Sequence, residues 1–71
     1  MNYLKRTFKN RIREFRKLKG FTQTDLANRS GTTQNTISSL ETGQYQPTAK
    51  LAAALCEAFD CKFEDLFYFE N

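Results

Sequence analysis

The sequence predicts a small all-α domain of five helices, and three observations carry that expectation. Apolar residues recur three and four apart along most of the chain, which is the period of one helix face. Thr, Gly and Pro break that pattern at intervals suited to helix ends. The 71 residues suffice for one domain, expected to span 1–71, with no repeat, linker or low-complexity segment to divide it.

The first helix is expected to carry Leu4, Phe8, Ile12, Phe15 and Leu18 on one face, with basic residues on the others. Gly20 stops it, because glycine takes positive φ without a Cβ penalty. Thr22 caps the second helix, and Asp25, three residues on, reaches back to the cap. Leu26 and Ala27 face inward, and Phe21 packs against the helix it precedes. That helix ends near Ser30-Gly31. Gly31-Thr32 forms a tight turn, Thr33 is the next cap, and the third helix runs from about Gln34 to Glu41 with Ile37 and Leu40 on its apolar side. Gly43 ends it, and Pro47 keeps Gln46 out of helix. Thr48 caps the fourth helix, whose inward residues are Leu51, Ala52, Leu55, Ala58 and Phe59. After Asp60-Cys61-Lys62 a last helical turn covers Phe63 to Phe67, both aromatics being read as largely core. The tail, 68–71, has no room to continue a helix and equally suits a short strand.

The net charge of +3 conceals an asymmetry: residues 1–30 hold nine Lys and Arg against two acids, and residues 31–71 hold two Lys against six acids. One end of the chain can attract a polyanion, although a merely solvated basic surface gives the same pattern. The third helix is the more specific signal. Its polar side holds Gln34, Asn35, Ser38 and Ser39, amides and hydroxyls where a solvated helix usually has Lys and Glu. Gln and Asn can bond adenine bidentately, and Ser can bond any base edge. A plain soluble surface is the competing reading of the same residues. The free N–H groups that open the second and third helices suit phosphate, and Gln23 can add an amide there.

Other chemistries find little support. There is no His, no nucleophile beside a base, no glycine-rich phosphate loop and no paired carboxylates, so no enzyme, metal or cofactor is expected. Cys56 and Cys61 lie among apolar residues and are expected to be free, small hydrophobes. No apolar run has the length of a signal peptide or a membrane span, so a cytoplasmic protein is expected, without membrane or small-molecule partners.

The run from Phe21 to Pro47 resembles the helix-turn-helix of the lambdoid phage repressor and Cro proteins. Arg16, Thr22-Gln23, Leu26-Ala27, Gly31-Thr32-Thr33-Gln34, Ile37, Glu41, Gly43 and Pro47 carry the likeness, and Leu51, Leu55, Phe59 and Phe63 to Phe67 extend it over about residues 8–67. The resemblance implies a five-helix, lambda-repressor-like DNA-binding domain, its helix-turn-helix at about 22–41, whose third helix enters the major groove. It implies base reading by Gln34, Asn35 and Ser39, with Ser38 as a further candidate. It implies phosphate contacts from Gln23, Thr22, Thr33, Thr42, Gln44 and Tyr45, and a structural ion pair between Arg16 and Glu41. The sequence departs from the family at Asp60, where a glycine is usual, and in lacking Arg or Lys on the third helix.

The same resemblance implies a repressor that binds a near-palindromic operator in double-stranded DNA as a homodimer. The dimer interface is expected at Phe67, Tyr68 and Phe69, with a C-terminal strand pairing with the N-terminal Met1-Asn2-Tyr3-Leu4. The alternative is an antitoxin-like interaction module that binds a partner protein as well as its own promoter.

Overall fold

The computed structural model describes residues 3–70, with side chains from Leu4 onward. Five helices follow in order: α1 (Ile12–Lys19), α2 (Gln23–Ser30), α3 (Gln34–Thr42), α4 (Ala49–Phe59) and the single turn α5 (Phe63–Leu66). A two-stranded antiparallel sheet joins the ends of the chain, β1 (Thr7–Asn10) pairing with β2 (Phe67–Glu70).

Local chemistry sets most boundaries. Thr22, Thr33 and Thr48 each turn a hydroxyl back to accept the N–H three residues on, at 3.0, 3.2 and 3.2 Å. Asp25 completes the box at α2 by accepting from the Thr22 N–H at 2.9 Å. The turn between α2 and α3 depends on Gly31, whose φ of 77° is a left-handed conformation that side chains resist. Asp60 meets the same demand after α4 with φ 54°, as a short polar residue can.

The helices enclose a core of Ile12, Leu26, Ala27, Ile37, Leu40, Ala52, Leu55, Phe59, Leu66 and Phe67, all buried. One inward row comes from each of α1 to α4, so α2 packs on both α3 and α4. Phe15 and Phe21 extend this core by ring contacts with Phe59, at 5.7 and 6.1 Å between centroids.

The N-terminal helix differs from the sequence reading. It begins only at Ile12, Leu4 and Leu18 are exposed, and Phe8 lies in a strand. Leu4, Phe8 and Ile12 are spaced by fours, which fits the period of a strand as well as that of a helix. The decision is made by distant residues: Phe8 pairs across the sheet with Phe69. Asn10 then starts the helix, its Oδ1 accepting from the Ile12 N–H at 3.1 Å. The strand partner of the tail is therefore Thr7–Asn10, whereas Tyr3 and Leu4 lie in a 3-10 turn and Met1 and Asn2 fall outside the described residues.

The tail needs a second correction. Phe67, read as largely core but also assigned to the dimer surface, is buried in the core, while Phe63, read as core, is half exposed. In a single helical turn one residue points straight inward. Here it is Leu66, and the strand that starts at Phe67 carries its ring onto Phe63 (4.9 Å) and Phe8 (5.7 Å).

Candidate nucleic-acid interface

Two short helices and the turn at Gly31 set the geometry. The inward residues Leu26 and Ala27 on α2 and Ile37 and Leu40 on α3 fix the two helices against each other. The opposite side of α3 is left open. Gln34 and Asn35 at its first turn are exposed, Thr36, Ser38 and Ser39 are half-buried, and Thr42 is exposed at its end. Asn35, Ser39 and Thr42 are four and three apart and so share one face. Tyr45, from the loop after α3, lines a shallow groove with Asn35, Thr36 and Ser39.

A chain of polar contacts holds that face in register. The guanidinium of Arg16 donates through Nε to Oε2 of Glu41 at 2.7 Å and through Nη2 to Oε1 at 3.2 Å. Its Nη1 donates to the carbonyl of Phe21 at 3.0 Å, tying α1 to the entry of α2. The pair is largely shielded, the side chains being 14% and 5% exposed. Hydrogen bonding to Glu41 holds the Arg16 guanidinium still more firmly protonated, against a smaller opposing effect of burial. The chain continues: Gln23 donates its amide to Glu41 Oε1 at 3.1 Å, and Gln34 donates to Gln23 Oε1 at 2.6 Å. Arg16, Glu41, Gln23 and Gln34 thus link α1, α2 and both ends of α3.

The positions expected at phosphates divide. Thr22 and Thr33 spend their hydroxyls as caps, which leaves backbone N–H groups at those helix starts facing outward. Thr42 donates to the carbonyl of Ser39 at 3.2 Å. Gln44 and Tyr45 are exposed in the loop. Tyr68 and Phe69 lie on β2, the first half-buried and the second exposed.

The sequence reading passed over Asn10. Its Nδ2 donates to the Leu40 carbonyl at 3.0 Å and its Oδ1 accepts from the Ile12 N–H, so one amide ties the entry of α1 to the end of α3. An Asn two residues before Ile12, a residue type suited to turns, was the available signal, masked by the extended helix expected there.

Cys56 and Cys61 are free. Burial, together with the neighbouring Cys56, pushes the Cys61 thiol up to about 11, so the nucleophilic thiolate is scarce at neutral pH. Among the described residues no group of His, Cys, Asp and Glu is placed to hold a metal ion, and no helix is long and apolar enough to cross a membrane.

Comparison with known proteins gives a uniform result. A helix-turn-helix family profile matches residues 12–66. An uncharacterized HTH-type transcriptional regulator of Archaeoglobus fulgidus is 43% identical over 63 residues, covering 89% of this chain and 90% of that one. One from Bacillus subtilis is 39% identical over 63 residues, covering 89% and 96%. Among solved structures, the P22 c2 repressor in complex with a synthetic operator superposes with a TM-score of 0.74 at 30% identity, covering 76% of this chain and 82% of that one. The restriction-modification controller protein of Aeromonas hydrophila gives 0.74 at 31%, covering 78% and 83%.

Proposed function

The chain belongs to the helix-turn-helix family of DNA-binding transcriptional regulators, and on that premise we propose that it is a repressor that binds a near-palindromic operator as a homodimer. The observation that carries this reading is the open face of α3, uncharged and hydrogen-bonding, held rigid from behind by Arg16 and Glu41. Inserted in the major groove, α3 presents Gln34 and Asn35 to base edges, with Ser38 and Ser39 further along. The N–H groups opening α2 and α3 meet phosphates on either side, joined by Gln44 and Tyr45. Gln23 has a second role beside the phosphate contact its position suggests. It orients Gln34 through their 2.6 Å bond, and so acts on base reading indirectly.

One such domain covers about half an operator, and a two-fold dimer places two α3 helices about one DNA turn apart. The aromatic side of the sheet, where Phe63 and Phe69 are exposed, is the surface for that contact. Tyr68 points to the opposite side of β2, since neighbouring strand residues alternate.

Selection from a randomised duplex pool, followed by a salt titration on the enriched site, tests the reading. A palindromic motif bound with a steep salt dependence is the expected result. Enrichment of a single, unrepeated half-site would remove the dimer. No enrichment at all would remove operator binding and direct attention to a protein partner.

A further inference from the structure

We propose that the cleft between β1 and the C-terminal end of α3 seats a backbone phosphate of the bound duplex, with Lys9 as its cation. This rests on the DNA-binding reading above and adds a contact outside the helix-turn-helix.

The starting point is a shortage of charge. α3 contains no Lys or Arg, yet affinity for DNA comes largely from neutralised phosphates. The positive charge must come from another element placed at the edge of the α3 face. The stripe of Asn35, Ser39 and Thr42 runs along α3 and ends at a cleft of about 150 Å³ whose lining includes Lys9, Asn10, Thr42, Gly43 and Tyr68. A duplex lying along that stripe brings its backbone to the cleft as α3 leaves the groove.

The position of Lys9 is fixed by its neighbours. It lies on β1 opposite Tyr68 of β2 and is exposed. The next residue, Asn10, is bonded to the Leu40 carbonyl at 3.0 Å, and the Arg11 N–H to the Leu66 carbonyl at 2.8 Å. The end of the strand is thus tied to α3 by Asn10 and to α5 by Arg11. Glu41 also lines the cleft, but its two oxygens are taken by Arg16 and Gln23, so its charge is already matched. Among the described residues no other carboxylate lines the cleft. Arg11 stacks over the Tyr68 ring at 4.0 Å, which puts a second positive charge behind the phenol. Lys9 and the Tyr68 hydroxyl are then the donors toward a phosphate oxygen.

Such a contact carries no sequence information, so its removal weakens binding alike on all sequences. The test compares wild type, Lys9→Gln and Lys9→Arg on the selected operator, with Lys19→Gln as a control that removes the same charge at the far end of α1. Circular dichroism checks that each variant is folded. The expected result is that Lys9→Gln lowers the slope of log affinity against log salt by about one per subunit. Lys9→Arg and Lys19→Gln keep the wild-type slope, and the selected sequence is the same for all. A wild-type slope in Lys9→Gln, or an equal loss in Lys19→Gln, would overturn the assignment while leaving operator binding intact. Failure of the wild type itself to bind any duplex would overturn the reading on which it rests.

Discussion

Two regions meet at the C-terminal end of α3, and they are held by different physics. The helix-turn-helix, α2 with α3, is secured by polar groups with directional bonds: threonine caps, an Asp25 box, and the run from Arg16 through Glu41 and Gln23 to Gln34. The terminal sheet is secured by rings. Phe8 stacks on Phe67 at 5.7 Å and meets Phe69 at 5.0 Å, with Phe63 at 6.4 Å. Directional bonds set a position to within about 0.5 Å, which a base-reading helix needs. Ring packing supplies burial and tolerates small shifts, which suffices to fasten the chain ends behind the site.

The largest expected effect breaks the polar side of this contrast. Arg16→Ala leaves the Glu41 carboxylate shielded and unpaired, at a cost of about 3–5 kcal/mol. Glu41→Ala strands the guanidinium with a similar loss, and the double variant recovers part of it. Chemical denaturation of all three measures the coupling, and additive losses would show that the pair is not a unit.

Next comes the aromatic side. Phe8→Ala is expected to cost about 2–3 kcal/mol, below the range for a fully buried ring because Phe8 is only partly buried. Hydrogen exchange sharpens the point: amides of β1 and β2 should lose protection while those of α2 and α3 keep it. Equal loss in both regions would mean that the sheet and the helix-turn-helix open together.

A smaller effect lies in the turn. Gly31→Ala meets no atom within 4 Å, so its cost is the positive φ alone, about 1–2 kcal/mol. Gly31→Asn should cost less, since Asn tolerates that conformation. If both variants melt like the wild type, the left-handed turn is not what closes α2.

The smallest is a pH effect. Bonds from the backbone and hydroxyl of Thr22 hold the Asp25 carboxyl below its ordinary value. A lowered folded-state value means that this contribution is complete at neutral pH and is lost as pH falls below about 4. The difference in melting temperature between wild type and Asp25→Asn should therefore be full at pH 7 and shrink steadily as the pH is lowered below about 4. A difference that persists in acid would assign it to something other than the ionised cap.

The same contrast explains what the sequence disclosed. Caps act over three residues, so Thr22, Thr33 and Thr48 could be read as helix starts, and Gly20, Gly31 and Gly43 as stops. The helix-turn-helix follows from such local signals. The sheet does not, because Phe8 meets Phe69 across almost the whole chain, and nothing near Phe8 separates a strand from an early turn of α1. Likewise Phe63 and Phe67 looked alike by spacing, and only the strand beginning at Phe67 decides which ring is buried. At the site, Gln34 and Asn35 were visible as amides in an unusual place. The bond from Gln34 to Gln23, and the double role of Asn10, required the helices to be placed first.

The central claim is that the uncharged face of α3 reads base pairs. It is tested most directly by measuring the affinity of wild type and Asn35→Ala for the selected operator and for an unrelated duplex of the same length, at one salt concentration. Loss of a bidentate base contact is worth about 1–3 kcal/mol, so a loss of roughly five- to 150-fold is predicted on the operator and no change on the unrelated duplex. An equal loss on both, or none on either, would contradict it.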